Sequence, residues 1–83
     1  MEEKEIKDYP IVEVEWFDAQ SSMDFIDIES LIAEKPYLTK SCGYLIHEDK
    51  EKVILGFMVF ASGYLKHYQV IPKGMVKKIK RLK

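Results

Sequence analysis

In IVEVEWF, residues 11–17, Val12, Val14 and Trp16 alternate with Glu13, Glu15 and Phe17. This is period-two strand patterning with β-branched and aromatic residues. A first strand is therefore expected here, entered through Pro10. The period changes in SSMDFIDIESLIAEKP. Phe25, Ile28 and Ile32, flanked by Leu31, recur at helical spacing. Ser21 or Ser22 offers an oxygen to the free amides of a first turn, Asp24 and Asp27 suit the positive end of the dipole, and Pro36 stops the pattern. A helix within about residues 22–34 follows, and its apolar stripe is expected to lie on an open end or side of a sheet.

After Pro36 the chain is β-patterned to its end. YLTKSCGYLIH and VILGFMVFA read as the second and third strands, joined by EDKEK. ASG turns into YLKHYQVI, PKGM is a tight turn, and VKKIKRL forms a short fifth strand. Val76, Ile79 and Leu82 at i, i+3 and i+6 also permit a helix over 75–83. The third strand is apolar at both parities, with Val53, Leu55, Phe57 and Val59 on one and Ile54, Met58 and Phe60 on the other. Either both faces are covered or the strand bends enough to change sides. Gly43 and Gly56 fall mid-strand, where glycine marks a sharp bend or the close approach of another backbone. The expected architecture is mainly β: a small, five-stranded, strongly bent antiparallel barrel, partly open, with one helix inserted between its first two strands. The edges of such a barrel are available for pairing between subunits.

Length sharpens this picture. Eighty-three residues suffice for one domain, expected over 10–83 behind a flexible charged tail at 1–9. A chain of this size buries only about 60% of its unfolded surface, so disulfides, metals or association commonly assist. Cys42 is the lone cysteine, which excludes an intrachain disulfide and argues against a thiolate metal cluster. Association remains, and a homo-oligomer, a ring in the first instance, is the expected partner state. The start MEEKEIKD has no apolar secretory core, and the longest apolar run has nine residues against the ~20 of a membrane-spanning helix. A cytoplasmic protein without membrane contact is expected, and a lone thiol suits a reducing compartment.

The net charge of −1 conceals a polarity. Residues 1–34 carry eleven acids against Lys4 and Lys7, whereas residues 35–83 carry eleven Lys and Arg against Glu48, Asp49 and Glu51. Such a split gives either a basic binding face or mutual pairing of acidic and basic parts, within or between subunits.

Candidate chemistry is sparse. Cys42 and His47 would form a nucleophile–base pair only if the fold joined them, and an odd spacing on one strand points them to opposite faces. Cys42 is instead expected as a small buried group. His47, Glu48, Asp49 and His67 lack a fixed ligand spacing, Glu48 and Asp49 point in different directions, and no phosphate-cradling glycine loop is present. No catalytic residue, metal ligand or cofactor is assigned. YLKHYQ mixes aromatics with cations as nucleic-acid surfaces do, and it also fits an ordinary amphipathic strand. KGMVKKIKRLK could hold phosphates, with steep salt dependence, or face the acidic part of the chain.

Two resemblances bear on these residues. WFDA at 16–19, GYLIHED at 43–49, VIL at 53–55 and VIPKGMVKKI at 70–79 resemble, in order and spacing, a family of short phage and prophage-encoded proteins. More loosely, Gly43, Leu45, Asp49 and Ile54, with Ile71, Lys73, Gly74, Val76 and Ile79, resemble the two motifs of Sm-like proteins, ring-forming RNA binders on a five-stranded bent barrel. Glu48, Val53 and Met75 replace that family's base-contacting aromatic and asparagines, and the helix follows the first strand instead of preceding it. A Src-homology-3-like barrel accommodates IPKGMVKKI equally well. The resemblance implies a non-enzymatic, homo-oligomeric, possible RNA- or DNA-binding module, with His47, Asp49, Lys73, Gly74, Lys77 and Lys78 as the candidate nucleic-acid-binding residues. The alternative is a protein-interaction or structural adaptor that binds no nucleic acid.

Overall fold

The computed structural model describes residues 6–83; the first five residues of the expected tail lie outside the described residues. Five strands form one antiparallel sheet: β1 (Ile11–Asp18), β2 (Tyr37–Glu48), β3 (Lys52–Val59), β4 (Leu65–Pro72) and β5 (Val76–Arg81). Their spatial order is β4-β3-β2-β1-β5. The chain's last strand thus returns to pair with its first, Val14 opposite Ile79 and Glu15 opposite Lys78. A single 3-10 turn, η1 (Lys73–Met75), joins β4 to β5. Residues 76–81 are a strand, so the helical reading of the C-terminal segment does not hold.

Val12, Val14, Trp16, Val53, Leu55 and Ile71 are buried, with Leu45, Val76 and Ile79 packed against them. Four of these, Val14, Val53, Leu55 and Ile71, have no accessible surface. One flat sheet cannot enclose its own side chains, and α1, the only α-helix among the described residues, buries nothing. The inner faces of β1 and of β3–β4 must therefore curl toward each other around this core. Register shifts mark where the sheet deforms: between Leu45 and His47 on β2, and between Glu15 and Trp16 on β1. The Lys73 amide donates to the Glu51 carbonyl at 2.8 Å, tying η1 to the β2–β3 loop. Trp16 is satisfied in the core, its indole N–H donating to Ser41 Oγ at 3.0 Å. β4 and β5 do not pair with each other, so the sheet is open.

The expectation for β3 is half met. Val53 and Leu55 are buried and Ile54 is half-buried, but Phe57, Met58 and Phe60 are exposed. This chain alone covers both faces only in the first half of the strand.

The helix corrects two expectations. Over the range 22–34 only α1 (Ile28–Ala33) is helical. Its N-cap is Asp27, not Ser21 or Ser22; the Asp27 carboxylate accepts from the Ser30 amide at 3.0 Å and the Ser30 hydroxyl at 2.8 Å. An aspartate that captures amides ahead of itself starts a helix there and holds the preceding residues outside it. Nor does the apolar stripe lie on the sheet: every residue from Ala19 to Leu38 is exposed. β1 and β2 stay paired out to Asp18 opposite Tyr37, and Ala19–Pro36 caps this ribbon as an arm. The chain measures 61 × 25 × 20 Å, with a radius of gyration of 16.8 Å; a globule of this length would have about 12 Å.

Candidate functional site

The sequence-derived candidates divide between two places. His47, Asp49, Lys73 and Gly74 gather at one end of the sheet, where the β2–β3 loop meets η1. Lys77 and Lys78 lie on β5 beside β1.

At the first place Asp49 organises the loop. Its Oδ1 accepts from the amides of Glu51 (2.8 Å) and Lys52 (3.0 Å). Its Oδ2 accepts from Lys52 Nζ (2.9 Å) and from His47 Nε2–H (2.7 Å). With four donors on one carboxylate, the charged form is strongly favoured. The Lys52 ammonium first, then His47 and the Glu51 amide, hold the Asp49 carboxyl well below the usual carboxylate range. Reciprocally, Asp49 holds the Lys52 ammonium above its ordinary value. Glu48 turns the other way, to Lys73 Nζ. The two neighbouring carboxylates thus serve separate ion pairs. Gly74 stands in open space, where an added Cβ would meet nothing within 4 Å.

A depressed carboxyl pKa contributes stability that is present above the unfolded value near 3.9 and lost as pH falls through the lower folded value. The Asp49 side-chain carboxyl carbon, followed by NMR, should therefore show no inflection between neutral pH and about pH 4. Asp49→Ala should selectively speed exchange of the Glu51 and Lys52 amides. An inflection at the ordinary carboxylate value would mean that the cluster does not form.

At the second place the basic strand meets acid within its own chain. In register, Glu13 faces Lys80 and Glu15 faces Lys78. Lys77 Nζ lies 3.7 Å from Glu15 and Lys40 Nζ 3.7 Å from Glu13. Such exposed pairs contribute little stability, but they lower the positive potential that β5 presents.

The parity argument for Cys42 and His47 fails at the β2 bulge. Leu45 faces Leu55 and His47 faces Ile54, so one extra residue, Ile46, restores His47 to the face that carries Cys42. Five residues along a strand still separate the two by about 16 Å. Cys42 is exposed instead of buried. His67, in the interior of edge strand β4, has φ 60°, the only positive φ among described non-glycine residues. The expected pair between Phe57 and His67 is missing from an otherwise constant register, so β4 is kinked there. Histidine is among the residues enriched at positive φ, but a lone His within a strand pattern is too weak a signal to place the kink.

Among the described residues, no three His, Cys, Asp or Glu side chains converge as a metal site, and no helix is long and apolar enough to cross a membrane. What sequence reasoning missed is apolar surface: the arm, and the outer face of β3–β4 with Met58, Tyr68 and Val70 exposed. No protein-family model, curated protein or solved structure matches the chain.

Proposed function

We propose that the chain is a non-enzymatic, self-assembling protein-interaction module, built on a bent barrel of the Sm-like or Src-homology-3-like kind. The observation that carries this reading is the strand order, which among the described residues leaves β4 and β5 as two unpaired edges on opposite sides of one sheet. β5 carries Lys77, Lys78, Lys80 and Arg81, so two β5 edges repel, whereas β4 has a single lysine among its eight residues. The favoured contact is β4 of one copy with β5 of the next. A head-to-tail contact of this type closes into a ring or runs on as a filament. The exposed apolar surface supports the same reading, since stable monomers rarely leave such patches uncovered.

Nucleic-acid binding is the second reading. The convergence of His47, Lys52 and Lys73 at one end of the sheet favours it, because a ring would repeat that end around its axis. It stands second because His47, Lys52, Lys73 and Lys77 each face a carboxylate of their own chain.

Light scattering with native mass spectrometry should find a defined oligomer at micromolar concentration; a monomer would overturn the leading reading. On the assembled particle, fluorescence anisotropy with single-stranded RNA and DNA decides the second. Binding that weakens steeply with salt and is lost in Lys73→Glu would establish nucleic-acid binding. Absence of binding at low salt would remove it.

A further inference from the structure

On its β1 side, β5 already has a strand of complementary chemistry. Glu13 lies opposite Lys80 and Glu15 opposite Lys78, while Val14 lies opposite Ile79. Carboxylates therefore stand beside lysines on one face of this pair, and apolar side chains meet on the other. The two carboxylates are shared, however: Lys77 Nζ lies 3.7 Å from Glu15, and Lys40 Nζ of β2 lies 3.7 Å from Glu13. Lys78 and Lys80 are exposed and make no ion pair among the described residues. Arg81 borders a surface cavity together with Asp8, so the unmatched charge lies at Lys78 and Lys80. The other side of β5 is an open edge among the described residues. The Leu82 amide donates to the Ile11 carbonyl at 2.7 Å, and ladder alternation then turns the Arg81 and Ile79 amides toward that open edge. A strand added there has Lys78 and Lys80 beside it on one face and half-buried Ile79 on the other.

We propose that the open edge of β5 binds an extended acidic strand of a partner protein, one that alternates apolar residues with Glu or Asp as β1 does. Main-chain hydrogen bonds to the edge supply the attachment. The partner's carboxylates beside Lys78 and Lys80, and its apolar side chains beside Ile79, supply the selectivity. This inference rests on the reading of β5 as an interaction edge, and it adds a competitor to self-assembly at that edge. β4 of a second copy offers the hydrogen bonds but no carboxylate, since LKHYQVIP has none. The kink at His67 also interrupts its edge. An acidic strand therefore takes β5 in preference to β4 and limits the growth of the particle. A nucleic-acid backbone would satisfy the lysines, but it brings no row of donors in register with the outward carbonyls of β5.

The probe is a peptide with the sequence of β1, IVEVEWFD, acetylated and amidated and added to the full ¹⁵N-labelled chain. Saturable shifts and slowed hydrogen exchange of the Ile79 and Arg81 amides are expected. The same peptide with both glutamates replaced by lysine should bind about tenfold more weakly. Lys78→Gln/Lys80→Gln in the full chain should abolish that preference, with circular dichroism to confirm that the sheet is intact. The comparison of the two peptides needs no variant of the protein, so it decides even if this one fails to fold. Equal binding of the two peptides would overturn the proposal, as would unshifted β5 amides at about 1 mM peptide. So would loss of protection at Val14 and Glu15, which would mean that the peptide replaces β1. Light scattering separates this contact from self-assembly. A particle that shrinks as the acidic peptide is added supports both. A monomer that binds the peptide at β5 keeps this contact and removes self-assembly, whereas a particle of constant size with unshifted β5 amides does the reverse.

Discussion

Leu55→Ala is expected to remove a large part of the stability of this domain, about 2–5 kcal/mol. Leu55 has no accessible surface. On one side it faces Leu45 and on the other Gln69, and it packs within a core of only six buried residues. A cavity left there cannot be filled by collapse, because the surrounding side chains are anchored on four different strands. For a domain of this length the total is about 4–12 kcal/mol, so the variant should sit near the edge of folding. Urea melts would record it as a lower midpoint with an unchanged slope. Ile32→Ala, in the exposed arm, supplies the contrast and should change the stability of the isolated domain by about 0.5 kcal/mol or less. Equal losses at the two positions would mean that α1 packs on the sheet after all.

That contrast also bears on what could be read from the sequence. The strands were legible because alternation and turn residues are local signals. Val12, Val14 and Trp16 announced the buried face of β1, and the strand between PKGM and the end of the chain lay where its apolar residues placed it. Helical spacing was legible too, but spacing says only which side chains align, not whether anything lies beneath them. Phe25 lies outside the helix, and no other described residue covers either it or Ile32. The helix start was misplaced because Ser22, Asp24 and Asp27 are all competent caps, and the choice among them depends on geometry.

The charge polarity shows a second kind of limit. Acid at one end of the sequence and base at the other suggested either a phosphate-binding stripe or mutual pairing. Which of these holds depends on β5 returning beside β1, a contact between the two ends of the chain that no local pattern encodes. Once Glu13 and Glu15 are flanked by Lys40, Lys77 and Lys78, much of the basic strand is accounted for without nucleic acid. The bulge at Ile46 was equally hidden. A single extra apolar residue among Tyr44, Leu45 and Ile46 leaves no mark in the composition, yet it changes the face on which His47 stands.

The two mid-strand glycines should differ sharply when each is replaced by alanine. A Cβ on Gly43 would lie 3.0 Å from the Gly56 carbonyl oxygen and 3.0 Å from the Phe57 ring. The carbonyl is held in the β2–β3 ladder, where Tyr44 pairs with Gly56, so relief requires the two strands to separate. Gly43→Ala should therefore cost about 1–3 kcal/mol, despite the gain from a less flexible unfolded chain. A Cβ on Gly56 would also come within 3.0 Å of a neighbour, but that neighbour is the end of the Ile46 side chain. Ile46 is only partly buried and sits at the bulge, so its side chain can shift more easily than a carbonyl held in the ladder. Gly56→Ala should cost clearly less than Gly43→Ala, and Gly56→Ala combined with Ile46→Val should recover part of even that loss. Thermal melts of the three variants decide the matter, since at this size each kcal/mol moves the midpoint by about 4–8 °C. If Gly43→Ala were the milder change, the closeness of β2 and β3 at Gly43 would not be what requires glycine there. The sequence alone marks both glycines as interruptions of a strand; only the fold distinguishes a backbone contact from a movable side chain.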